Sequence, residues 1–329
     1  MAGTGGPSAA EFEVESMARF PFGIPNSWYL IALSDELKSG DVRRLQYLDT
    51  EWIAFRGESG QVAVLDAHCP HLGAHLGVGG KVVGDTIECP FHAWRWGMEG
   101  QCAAIPYAKR IPAQARAVSH PVVERNGMIF VWFHARGAPP SFEIPEIPEW
   151  GRPDWLGEWL VWEWTLKTHP QEMAENGIDW PHFRSVHAME MPAQLGHEFR
   201  PGSFTWQIGG TKAVSTLGGR SDELMMYGEN WGLGYSWLRQ AGQFDTIVAT
   251  GLTPIDCETT HVRMAVIARV GDRVESEVRS EVEAYMDEHA VFAEQDFAIW
   301  ENKKFRERPP LCDEDGPIGE FRRWAAQFY

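Results

Sequence analysis

The sequence predicts an α+β protein in two parts: an all-β first part, and a second part in which a sheet wraps one long helix. Three observations predict it. Short aromatic or β-branched runs, separated by Gly, Ser and Asp, fill residues 27–134. Five prolines crowd residues 135–155; proline fixes φ and removes a backbone donor, so this stretch reads as a linker. Beyond it, strand-like runs give way to a long helical pattern over 275–305, the order of a sheet that closes on a terminal helix.

In the first part the expected strands are SWYLIAL, RRLQYL, WIAFRG and VAVLD. PVVERNGMIFVWFH is a hairpin, because Asn126-Gly127 supplies a turn with positive φ between apolar arms. In the second part EWLVWEWTLK is a strand and QEMAENGIDWPHFRSVH is helical. FTWQIGG, KAVSTLGG, TIVATGLTP and HVRMAVIARV are further strands. In the last helix, acidic residues near the start and Lys303, Lys304 and Arg306 near the end suit the helix dipole. Residues 1–26 read as a flexible lead, with neither the basic start nor the apolar run of a signal peptide.

Composition narrows the function. The 329 residues are 44% apolar and 23% charged, a globular profile. A net charge of −17 argues against nucleic acid and anionic membrane as partners. No apolar run is long enough to span a membrane. Five cysteines is an odd number, and Cys102, Cys257 and Cys312 are scattered, which does not suggest a disulfide framework, so a reducing cytoplasm is the expected location. Sixteen tryptophans suit either a dense core or a large apolar cavity.

The chemistry begins in HCPHLGAHLGVGGKVVGDTIECPFHAW, residues 68–94. Cys69 and His71 form one pair, and Cys89 and His92 the other, seventeen residues on. Thiolate and imidazole bind zinc or iron. Zinc fingers usually pair Cys with Cys and His with His. One of each per loop suits a two-iron cluster, with both thiolates on one iron and both imidazoles on the other. The flanking prolines and glycines suit tight loops. C-x-H, seventeen residues, C-x2-H is similar to the Rieske [2Fe-2S] pattern. Ala93 departs from it, since relatives commonly have Gly there. His68 and His75 flank the motif and read as supporting or surface residues.

The second half carries ENGIDWPHFRSVH, in which Asn176, Asp179, His182 and His187 follow N-x2-D-x2-H-x4-H. Two histidines plus one distant carboxylate make the facial triad of non-haem Fe(II). On a continuous helix, positions 182 and 187 diverge by about 140°. Pro181 should break or restart the helix, which lets both imidazoles converge. Glu294, Asp296 and Glu301 are the candidate third ligands. Asp296 lies near an apolar face, where a charge needs a metal or a partner.

Nearly the whole chain resembles the oxygenase subunits of Rieske non-haem iron oxygenases. That resemblance implies a Rieske [2Fe-2S] domain over 27–134 and a catalytic domain of helix-grip (START-like) fold over 156–329. It makes His182, His187 and Asp296 the ligands of a mononuclear Fe(II). It implies electrons from NAD(P)H through a flavin-dependent reductase, sometimes with a ferredoxin, and O2 acting on an apolar small molecule. It gives Asp179 the task of bridging a cluster histidine of a neighbouring subunit, His92, to His182, and therefore implies a homotrimer. Asn176 would line the approach to the iron. CPHLGAHLGVGG, IPYAKRIP, QDFAIWENKKF and FRRWAAQFY resemble the group of 3-ketosteroid 9α-hydroxylase oxygenases and sterol 7-desaturases. A steroid or sterol is the implied substrate; an aromatic or alkaloid substrate is the alternative. A Rieske electron-transfer protein without catalysis would hold two irons per chain instead of three.

Overall fold

The computed structural model describes residues 19–214 and 220–329, apart from the side chains at 191–193, 211–214, 220–224, 289 and 292. The first part holds three small antiparallel sheets. One pairs Ser27–Leu33 with Met128–Phe133, and that strand with Val122–Arg125. A second runs Val42–Tyr47, Thr50–Arg56, Val62–Asp66 and Ser119–His120. The third is built from three-residue strands, Lys81–Val83, Thr86–Glu88, Arg95–Gly97 and Cys102–Ala104. Sequence reading did not resolve these short pieces, which are too brief to show a period.

Ser27–Leu33 is buried throughout because both its faces are covered. Trp28 and Leu30 pack into the core of the second part, while Tyr29 and Ile31 pack into the first. Alternation along one strand thus joins the two parts. The expected hairpin forms, with Asn126 at φ 57° and Gly127 at φ 71°. A Cβ on Gly127 would lie 2.3 Å from the Trp150 ring, so glycine is needed for space as well as for conformation.

The proline-rich segment 135–155 has only a single bridge, at Trp155. It is nonetheless packed tightly. Ile144, Ile147 and Trp155 are buried, and Trp150 stacks on Trp159 at 4.9 Å. The Asn126 amide replaces missing secondary structure: it donates to Pro145 O and accepts from Ile147 N, both at 2.9 Å. Residues 19–26, read from sequence as the end of a flexible lead, also lie against the fold. Phe20 is buried and stacks on His169 at 3.9 Å. Residues 1–18 lie outside the described residues.

The second part is one seven-stranded antiparallel sheet. Its order is Leu160–Leu166, Thr260–Ala268, Thr246–Pro254, Tyr235–Ala241, Arg220–Trp231, Ser203–Val214 and Glu190–Arg200. Among the described residues, four α-helices complete it: α1 (Pro170–Asn176), α2 (Trp180–Ser185), α3 (Glu275–Trp300) and α4 (Ile318–Ala325). Of KAVSTLGG, Lys212–Val214 continue the strand from Ser203, and 215–219 lie outside the described residues. The long helix stops at Trp300, before Lys303, Lys304 and Arg306, so those cations do not sit in its last turn as expected. Val278, Val282, Tyr285 and Met286 of α3 share a core with Trp237, Ile247 and Ala265 of the sheet. The α+β expectation holds, with the sheet gripping α3.

Candidate metal centres and the cavity between helices and sheet

The two Cys-His loops have the same backbone pattern. Cys69 N donates to Ala74 O at 2.8 Å, and Gly73 N donates back to Cys69 O at 2.9 Å. Cys89 N donates to Trp94 O at 2.8 Å, and Ala93 N to Cys89 O at 3.0 Å. Gly73 is at φ 76° and Ala93 at φ 55°. Ala93 therefore does what glycine does in the twin loop, at a steric cost of about 1–2 kcal/mol.

The loops bring the four side chains together in an ordered way. Cys69 and Cys89 are buried free thiols. The His71 and His92 rings are half-buried and 4.8 Å apart. Sulfur lies inside and nitrogen outside, the order a cluster with one thiolate-held and one imidazole-held iron demands. Burial, with Cys89 adding to it, raises the Cys69 thiol's pKa; the Trp96 indole N–H pulls it down. Trp96 is fully buried, and beyond facing this weak sulfur acceptor its Nε1 makes no hydrogen bond among the described residues. A buried donor left in this state costs about 1–3 kcal/mol. A cluster-bound thiolate at Cys69 is the acceptor that would satisfy it, so the residues fit the group. His68 and His75 pair with each other at 5.2 Å outside this quartet, and His68 faces Glu51.

The second centre is built by a broken helix. α1 ends at Asn176, and a turn through Gly177 and Ile178 leads to Asp179 and α2, with Pro181 in its first turn. The break falls just before the proline, as expected from its missing N–H. The backbone of Gly316 abuts it: a Cβ there would lie 1.7 Å from Ile178 O. Arg322 of α4 clamps Glu175 with two bonds, at 2.7 and 3.1 Å.

The break turns His182 and His187 toward Asp296 on α3. Their ligand atoms lie within 4.8 Å of one another, and all three residues are buried. Tautomers follow from the partners. His182 Nδ1 donates to the Asp179 main-chain carbonyl, and His187 Nδ1 to Gln295 Oε1 at 3.1 Å. Both Nε2 lone pairs then face inward. His187 Nε2 meets Asp296 Oδ2 at 3.2 Å. Two acceptors at that distance repel unless a cation or proton lies between them, and two neutral imidazoles plus a carboxylate are a ferrous donor set. Burial holds the His182 pKa down, against the pull of Asp296, which keeps the imidazole neutral and able to ligate.

The other two carboxylates point elsewhere. Glu294 accepts from Trp164 Nε1 at 3.1 Å, and Glu301 from Lys167 N at 3.3 Å. Asn176 donates to His182 Nε2 at 3.1 Å and to Asp296 Oδ2 at 3.0 Å, so it lies at the trio itself. Asp179 meets His182 through its main chain. Its carboxylate makes no hydrogen bond among the described residues, and burial raises its pKa. Gln295 was not foreseen from sequence, where nothing links it to His187.

A cavity of about 250 Å³ opens from the trio between α1, α3 and the sheet. Met173, Trp206, Leu238, Val248 and Phe297 line it. On α3 the lining runs from Met286 to Trp300, roughly 20 Å at 1.5 Å per residue. Few polar side chains interrupt it, among them Asn230, Ser236, Gln240 and Thr250.

Comparison with known proteins agrees with this architecture. Residues 27–116 match the Rieske [2Fe-2S] domain, and residues 131–329 match the 3-ketosteroid 9alpha-hydroxylase C-terminal domain. These define the class: a Rieske oxygenase. The chain belongs to the family that joins a Rieske domain to the 3-ketosteroid 9alpha-hydroxylase C-terminal domain. A probable 3-ketosteroid-9-alpha-monooxygenase oxygenase component of Rhodococcus rhodochrous is 33% identical, over 92% of this chain and 79% of the relative. Cholesterol 7-desaturase nvd 1 of Ciona intestinalis is 31% identical, over 93% and 68%. The crystal structure of dicamba monooxygenase bound to dicamba shares the fold at TM-score 0.73 and 20% identity, covering 92% of this chain and 97% of that one. Among the described residues, no helix is long and apolar enough to cross a membrane.

Proposed function

We propose that this protein is the terminal oxygenase component of a multicomponent system that hydroxylates or desaturates a steroid or sterol. The observation that carries the reading is the long apolar cavity ending on His182, His187 and Asp296. Its span suits a rigid polycyclic skeleton better than a single aromatic ring. Two relatives are named for a ketosteroid and for cholesterol, which supports the same class.

Cys69, His71, Cys89 and His92 would hold a [2Fe-2S] cluster, and His182, His187 and Asp296 a ferrous ion. When bound, the cluster supplies electrons singly and the ferrous ion supplies the site of O2 activation. The chain's own groups do the rest. Gln295 and the Asp179 carbonyl orient the imidazoles. Asn176 donates beside the ligand atoms, where it can orient a polar reactant. The Trp, Met and Phe lining excludes water and holds the substrate against the trio. Electrons would come from NAD(P)H through a flavin-dependent reductase, with or without a ferredoxin. The half-buried Asp179 carboxylate, with no hydrogen bond among the described residues, is suited to meet His92 of a neighbouring copy in a homotrimer.

The test is turnover. The metal-loaded protein, a reductase, NADH and 18O2 are incubated with 3-ketosteroids, 3-hydroxysterols and methoxy-aromatic acids. One labelled oxygen in a steroid, or loss of two hydrogens from a sterol, supports the reading. Turnover of the aromatic acids alone overturns it.

A further inference from the structure

A cluster that relays electrons needs an entrance as well as an exit. His71 stacks on Trp94 with ring centroids 4.3 Å apart and 12° between planes. Trp94 is buried, and its Nε1 donates to the Tyr107 hydroxyl at 2.7 Å. Tyr107 is 64% exposed. Two consecutive contacts thus link the exposed Tyr107 to a cluster ligand. His92 has a different neighbour, the exposed Phe91 at 3.8 Å, and remains available for the exit.

The charge around Tyr107 differs from that of the rest of the chain. Residues 105–118 contain Lys109, Arg110 and Arg116 and no Asp or Glu, in a protein of net charge −17. Lys109 and Arg110 are exposed and make no ion pair among the described residues. Arg116 donates to the Glu99 carbonyl and keeps its charge. Lys109 and Arg110, exposed and close in sequence to the exposed Tyr107 ring, form an electrostatic landing site.

We infer that the loop 105–111 docks an acidic one-electron carrier, and that the electron enters through Tyr107, Trp94 and His71. The inference rests on the Rieske oxygenase reading. The carrier loses one electron and the cluster gains it; no bond forms or breaks. The rival occupant is a second copy of this chain, since residues 135–329 hold 32 acidic residues against 18 Lys and Arg. The contact path to His71 favours the carrier.

The test uses the full chain with its cluster, and chemically reduced plant-type [2Fe-2S] ferredoxin as the acidic probe. Stopped-flow absorbance follows cluster reduction at several salt concentrations. The wild-type rate should fall steeply with salt. K109E/R110E should be slower by roughly tenfold at low salt and should lose most of the salt dependence. Dithionite reduction and the size-exclusion profile should match wild type. Bleaching of wild type by dithionite checks the parent reading separately. An unchanged ferredoxin rate in the variant, with dithionite bleaching intact, overturns the docking inference alone. A changed assembly state overturns it in favour of a contact between copies.

Discussion

Gln295 fixes the orientation of His187: its Oε1 accepts from Nδ1 at 3.1 Å, and the opposite nitrogen faces Asp296 at 3.2 Å. The residue beside one candidate ligand thus sets the tautomer of another. Removing such an outer partner typically costs 10–100-fold in metal affinity. Gln295→Leu should weaken ferrous binding by roughly tenfold or more while leaving the visible spectrum of the cluster unchanged. Equilibrium iron titration checks this; unaltered affinity would mean that packing alone orients His187.

Ala93 sits at φ 55° in the second cluster loop, where Gly73 serves in the first. Ala93→Gly removes about 1–2 kcal/mol of strain and returns part of it as unfolded-state entropy. A net gain of roughly 0.5–1 kcal/mol is expected, read as a higher denaturation midpoint with an unchanged cluster spectrum.

Trp96→Phe removes the buried N–H beside Cys69 and keeps most of the ring. Reduction adds negative charge to the cluster, and a donor at sulfur stabilises the reduced form more. The midpoint potential should fall by roughly 30–60 mV, up to a tenfold change in a one-electron equilibrium. Redox titration by absorbance reads this directly. An unshifted potential would show that the indole plays no part in tuning the cluster.

His169 caps α1 by accepting from Gln171 N, and its other nitrogen bonds Gly23 O at 3.1 Å. These partners suit the neutral ring. Burial lowers its pKa to about 4, against the pull of the Gly23 carbonyl. Between that value and the unfolded pKa near 6.5, the unfolded chain binds the extra proton. The stabilisation is therefore complete above about pH 6.5 and is lost as pH falls toward 4, up to about 3 kcal/mol. His169→Asn keeps a capping acceptor but cannot titrate. Its stability should fall less than wild type's over this window, and taking the difference between the two cancels acid loss of the cluster.

Much of this molecule is readable from its residues, for identifiable reasons. Val62–Asp66 and the Asn126-Gly127 hairpin carry local signals and form where expected. Arg220–Trp231 carries none. Its inward position 228 is glycine, because a Cβ there would lie 2.2 Å from the Trp206 ring of the next strand. The packing is recorded in the neighbour's sequence, so no alternation shows. The cluster quartet is legible because all four ligands sit in two short loops. Apolar neighbours and the family resemblance favoured Asp296 over Glu294 and Glu301, but what turns those two away is orientation, and Trp164 and Lys167, which engage them, lie more than 120 residues away. Gln295 was silent for the same reason, since its partner is distant in sequence.

The central claim is that one chain carries two separate metal centres, one in the Rieske domain and one on the broken helix and α3. Iron per chain, measured by mass spectrometry on anaerobically reconstituted and desalted protein, tests it most directly. Wild type should hold three irons, and Asp296→Ala two with an unchanged Rieske spectrum. Two irons in the wild type, or loss of the Rieske spectrum in Asp296→Ala, would contradict it.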